Sequence, residues 1–112
     1  MRIGGYKATY ILGALPKLRV VRSLRWERPL IEQILSTIGE TDVVWDVGAN
    51  IGTFSCLMGD SVGEQGLVVC FEPLPKNVES LQRNMGQNAV RYRLVEAALG
   101  SNMSGLSGFF YQ

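Results

Sequence analysis

Residues 43–55 read VVWDVGANIGTFS, and the fold is decided there. The stretch 42–47 (DVVWDV) is short, apolar and β-branched, a composition that suits a buried parallel strand better than a half-exposed one. It runs straight into Gly48. Asp46 is then the penultimate strand residue, Gly48 and Gly52 bracket a tight turn, and a helix opens at about 51–53 with Phe54, Leu57 and Met58 on one face. Glycine is needed in such a turn so that a ligand can approach the backbone, or so that the chain can take positive φ. The N–H groups of the helix start can face polar or anionic ligand groups. In an open parallel sheet this turn lies at the carboxyl end of a strand, where ligands bind.

The same order recurs on the C-terminal side. Residues 63–66 are turn-rich, 67–71 (LVVCF) form a second buried strand, and Glu72-Pro73 ends it. From 75 to 85 the pattern becomes helical, with Val78, Leu81 and Met85 spaced by three and four. NMGQN at 84–88 stops this helix, and 90–99 reads as a third strand with Arg91 and Arg93 on a solvated face. Upstream, Leu30, Ile31, Ile34, Leu35 and Ile38 predict a helix over 29–37, with Pro29 in its first turn and Gly39 as its stop. Trp26 and Trp45 are assigned to the core. Beyond Gly100 the sequence is Ser- and Gly-rich, a loop with a fragment of strand at 109–111. Alternating strands and helices predict an α/β, Rossmann-like parallel sheet with right-handed crossovers.

Glu72 ends the second strand twenty-six residues after Asp46. A carboxylate there can accept hydrogen bonds from the vicinal hydroxyls of a ribose. The dinucleotide fingerprint G-x-G-x-x-G fails, since Asn50 and Thr53 stand where its second and third glycines belong, and no P-loop lysine follows. An acid before a G-x-x-x-G turn suits a nucleoside with a zwitterionic amino-acid tail, whose ammonium Asp46 and the turn carbonyls can accept. Each feature also has a purely structural reading. Gly48 and Gly52 fit a plain strand-to-helix turn, Asp46 a cap on the helix start and Glu72 a strand terminator. Glu96 can face solvent or the ligand.

DVGANIGTFS at 46–55, FEPLPKNVESLQRN at 71–84 and VEAALG at 95–100 resemble the class I S-adenosylmethionine-dependent methyltransferases, and among them the FkbM-type family. The resemblance covers about residues 30–100. It implies S-adenosylmethionine as cofactor, with Asp46, Gly48, Asn50 and Gly52 around its methionine part, Glu72 on the ribose and Ala97 with its neighbours near the adenine. It further implies O-methylation of a hydroxyl on a small metabolite or glycan. Similar proteins continue with a fourth strand, an acidic segment at its end and three further strands. The resemblance therefore implies a cofactor-binding part, truncated after the third strand and without the substrate half, whose strand at 43–47 is an apolar edge that invites a partner chain. The alternative is a non-catalytic nucleoside-binding or interaction module. No catalytic base is assigned.

With 112 residues, 46% of them hydrophobic and 19% charged, the chain has the material for one packed core. Its net charge of +1 hides a division: residues 1–28 carry seven basic residues and one acid, and residues 29–112 carry four basic and nine acidic. This predicts a basic N-terminal arm over 1–28 and a partial methyltransferase domain over 29–112. The arm can make weak contact with a membrane surface, for instance through an interfacial helix over 6–25. No nucleic-acid partner is expected. The absence of histidine and of any Cys-x-x-Cys pair argues against a zinc site and against histidine-based catalysis. Cys56 and Cys70 read as buried apolar residues of a cytoplasmic, reducing environment.

Overall fold

The computed structural model describes residues 2–11, Arg22 and 26–100. The strand fragment expected at 109–111, and the parts of the basic segment at 12–21 and 23–25, lie outside the described residues. Along the described chain come β1 (Arg2–Ile3), β2 (Tyr6–Lys7), α1 (Arg28–Ser36), β3 (Val43–Val47), α2 (Thr53–Val62), β4 (Leu67–Phe71), α3 (Pro75–Gln87) and β5 (Tyr92–Val95). Strands β3, β4 and β5 form a parallel sheet in that order, with Val43 opposite Leu67 and Val68 opposite Tyr92. The two crossovers run through α2 and α3, as the alternating pattern predicts. β1 and β2 pair separately as a small antiparallel hairpin.

The helices start where the sequence supplies the means. Pro29 and Pro75 stand in the first turns of α1 and α3, where the missing N–H has no intrahelical partner in any case. At the end of α1, the Thr37 hydroxyl and N–H both donate to the Ile34 carbonyl, and Asp42 accepts the Gly39 N–H at 2.7 Å. The core joins Ile31 and Leu35 of α1, Cys56, Leu57 and Val62 of α2, Val68 and Cys70 of β4, and Leu81 and Met85 of α3. α2 packs on β3 and β4 and is flanked by α1 and α3.

Burial along β3 corrects two expectations. Val44 and Asp46 turn toward the packed face, but Val43, Trp45 and Val47 are exposed, Trp45 to 62%. The strand is thus half-exposed, because among the described residues nothing covers that face and β4 alone pairs with it. Trp45 rests against the Phe71 ring at 5.4 Å instead of entering the core. Trp26 precedes α1 and is 91% exposed, so neither tryptophan is a core residue. Leu30 and Ile34 are likewise exposed, since α1 meets the domain through the narrower stripe of Ile31 and Leu35.

Residues 2–11 of the basic segment lie on the domain. Ile3 and Ala8 are buried, β1 touches α1, β2 touches α2, and Asp60 accepts the Lys7 N–H at 2.8 Å. Over 6–11 the chain is strand or irregular, which corrects the helical reading for those residues. No helix among the described residues is long and apolar enough to cross a membrane.

Two glycines test the packing in opposite directions. A Cβ on Gly66 would stand 2.8 Å from the Asp42 carbonyl oxygen and 2.9 Å from that of Glu40, both backbone and unable to yield. On the exposed last turn of α3, a Cβ on Gly86 meets nothing within 4 Å. Gly66→Ala should cost about 1–3 kcal/mol and Gly86→Ala should stabilise by about 0.5–1 kcal/mol in urea unfolding; equal effects would contradict this packing.

Candidate functional site

The turn that follows β3 is hung on the end of β4. The Phe71 carbonyl accepts two N–H groups, from Gly48 at 2.9 Å and Ala49 at 3.0 Å. The next N–H, from Asn50, goes to Glu72 Oε1 at 2.8 Å, and the Gly52 N–H closes back on the Ala49 carbonyl at 2.9 Å. Four N–H groups of the turn are therefore committed inside the protein. This fits the missing dinucleotide fingerprint, because a phosphate cradle needs such turn donors open.

The bracketing glycines do different work. Gly48 has φ +75° and is exposed, and a side chain there would project into open space over the turn, so the position is left clear for a ligand. Gly52 has φ +84° but is buried, with Leu81 at 3.5 Å from where its Cβ would stand. Its glycine is required by the left-handed backbone that starts α2. Asn50 also lies in the left-handed region at φ +56°, which asparagine tolerates better than most residues.

Glu72 is the most connected acid described. It is only 4% exposed and accepts from Asn50 N–H through Oε1, and from Leu74 N–H at 3.0 Å and the Asn77 amide at 3.3 Å through Oε2. A carboxylate offers about four acceptor sites, so one remains on Oε1. Beside it lies an open cleft of about 360 Å³ lined by Val47, Gly48, Phe71, Glu72, Leu74 and Asn77, with Pro73, Ala98 and Leu99 completing the wall. Asn77, which sequence reasoning missed, stands in the first turn of α3. The signal available was an amide five residues after the acid, behind a Pro-x-Pro start. Ala97 is buried, and its neighbours Ala98 and Leu99 form the wall in its place.

Asp46 faces the packed side of the sheet. Ser55 of α2 donates its hydroxyl to Asp46 Oδ2 at 2.5 Å, and the Cys70 thiol donates in turn to Ser55 Oγ at 3.3 Å. Asp46 is thus tied to the first turn of α2 through Ser55, and it does not line the cleft. Burial raises its carboxyl above the ordinary aspartate range, more than the Ser55 hydrogen bonds lower it, and the charge of Glu72 adds to the rise. Burial also pushes the Cys56 thiol up to about 12 and that of Cys70 up to about 11, so both remain protonated near neutrality.

Of the residues singled out from the sequence, Gly48 and Glu72 meet at the cleft, Asn50 joins them through its backbone, and Asp46, Gly52 and Ala97 stand behind it. No family model matches the sequence. The chain is similar to the hexuronic acid methyltransferase AglP of Haloferax volcanii, with 34% identity over 82 residues, or 73% of this chain and 33% of that protein. It spans about a third of that relative's length. Among solved structures, a candidate rRNA methylase from Clostridium thermocellum superposes with a TM-score of 0.60 at 21% identity, covering 62% of this chain and 39% of the other. A protein-L-isoaspartate O-methyltransferase gives 0.50 at 26% identity, covering 61% of this chain and 23% of the other. The chain is thus homologous to a methyltransferase, and its sheet is built as in the class I methyltransferase fold.

The raised Asp46 carboxyl has a definite pH signature. A folded-state value above the unfolded one means that the folded protein holds the proton more tightly, so this group's contribution falls as pH rises from the ordinary aspartate value through the raised one. The stability of Asp46→Asn relative to the parent should therefore increase as pH rises from about 4 to 7 in thermal unfolding; a difference that stays flat or shrinks would contradict the raised value.

Proposed function

We propose that this chain is the S-adenosylmethionine-binding part of an FkbM-type methyltransferase whose acceptor is a hydroxyl on a glycan or small metabolite. The observation that carries this reading is the buried Glu72, tied to the glycine turn by Asn50 and keeping one acceptor site open on a cleft. A ribose hydroxyl suits that site. Its neighbour can take the place of the 3.3 Å Asn77 contact, the longest of the three that Glu72 accepts. Gly48 leaves room for the cofactor over the turn, and Leu74, Ala98 and Leu99 offer apolar surface to a nucleobase. The committed N–H groups of the turn favour a cofactor without a pyrophosphate.

When bound, the cofactor supplies a sulfonium methyl open to in-line attack by a hydroxyl oxygen. The residues described here bind and orient that cofactor, and the base that removes the hydroxyl proton is not among those assigned. The hexuronic acid acceptor in the name of the archaeal relative supports a sugar-type substrate. The two buried thiols suit a reducing, cytoplasmic setting. A second reading, a non-catalytic nucleoside-binding module that works with a partner chain, draws on the edge of β3 that no strand among the described residues pairs and on its exposed Val43, Trp45 and Val47.

Calorimetric titration with S-adenosylhomocysteine tests the proposal. The parent chain should bind, and Glu72→Gln, which keeps the shape but loses the charge, should weaken binding about tenfold or more. Unchanged affinity in the variant would remove Glu72 from the site. Binding without methyl transfer to any saccharide acceptor would favour the second reading.

A further inference from the structure

Asn84 of α3 is fully buried and faces two ways. Its amide nitrogen donates to the Ile51 carbonyl at 2.8 Å, within the glycine turn, and its Oδ1 accepts the Ile11 N–H at 2.7 Å, within the N-terminal segment. One side-chain amide thus joins two segments forty residues apart in sequence. A second link lies alongside, where the Tyr10 hydroxyl donates to the Thr53 carbonyl at 2.5 Å in the first turn of α2. A third lies one helical turn beyond Asn84: Asn88 Oδ1 accepts the Thr9 N–H at 2.8 Å and its amide donates to the Thr9 carbonyl at 2.6 Å. The N-terminal segment is therefore clamped along α3 and joined through Asn84 and Tyr10 to the glycine turn and the start of α2.

We infer that residues 9–11 hold the glycine turn in its binding shape through Asn84 and Tyr10, so that Asn84 is a positioning residue for the cofactor. The turn is gripped from both sides. Phe71 and Glu72 take the N–H groups of Gly48, Ala49 and Asn50, while Asn84 and Tyr10 take the carbonyls of Ile51 and Thr53. Neither Asn50 nor Gly52 has a backbone conformation that an ordinary residue prefers, so the turn depends on such outside restraint. Burial of the Tyr10 hydroxyl raises its ionisation above the ordinary tyrosine value, in keeping with a donor that stays protonated at all working pH. The inference rests on the cofactor reading for its functional consequence but not for its structural one.

Two variants test it on the full chain. Asn84→Leu keeps about the size but neither donates to Ile51 nor accepts from Ile11, and Tyr10→Phe removes a single hydroxyl. Amide hydrogen exchange at Gly48, Ala49, Asn50 and Gly52 should accelerate about tenfold in each, while exchange at Val68 and Cys70 in β4 changes less. Affinity for S-adenosylhomocysteine should fall by a similar factor. Faster exchange in a parent chain that binds no S-adenosylhomocysteine would support the positioning role and overturn the cofactor reading. Unchanged exchange at the turn in folded Tyr10→Phe, or acceleration equal in the turn and in β4, would overturn the inference.

Discussion

The carbonyl of Phe71 and the carboxylate of Glu72 receive three successive N–H groups, those of Gly48, Ala49 and Asn50. Much of the rest of the structure serves this attachment. A turn with two left-handed residues and a left-handed glycine cap has no reason to hold one shape in water, and pairing its donors on the end of the neighbouring strand gives it one. The attachment requires β3 and β4 to end in register, which their parallel pairing from Val43–Leu67 to Val47–Phe71 supplies. It also fixes where Glu72 stands, because the same carboxylate that holds the turn borders the cleft.

The attachment has a chemical consequence. A glycine-rich turn at the carboxyl end of a strand is open to two kinds of ligand, one held by backbone N–H groups and one held by side-chain and carbonyl acceptors. Here the N–H groups of Gly48, Ala49, Asn50 and Gly52 are spent on the protein, and a carboxylate, the Asn77 amide and apolar walls border the cleft. Vicinal hydroxyls and a nucleobase match that surface, and a phosphate does not.

Much of this was legible in the sequence, and the reasons for the rest are physical. The strand, turn and helix order around Gly48 and the acid at Glu72 follow from patterns of local spacing, and both survive in the structure. Burial was harder to read. The run at 42–47 has the composition of a strand covered on both faces, yet composition does not say which neighbours are present, and Trp45 lies on the uncovered face. The internal contacts of Asp46 and Gly52 were hidden for a related reason: strand parity sends Asp46 toward α2, and the left-handed cap sends Gly52 toward Leu81. Asn77 and Asn84 lie inside the quoted stretch 71–84, but their roles, like that of Tyr10, were not legible there, because single amides and hydroxyls acquire meaning only when tertiary contacts bring a carboxylate or a carbonyl to them.

The central claim is that the end of β4 and the glycine turn form one nucleoside-binding surface. Amide chemical-shift mapping during titration of the full chain with S-adenosylhomocysteine tests it most directly. The account predicts saturable shifts that centre on Gly48, Asn50, Glu72, Leu74 and Asn77 and extend to Ala98 and Leu99. Shifts confined to the opposite end of the sheet, around Asp60, Glu64 and Arg91, or no saturable shifts at all, would contradict it.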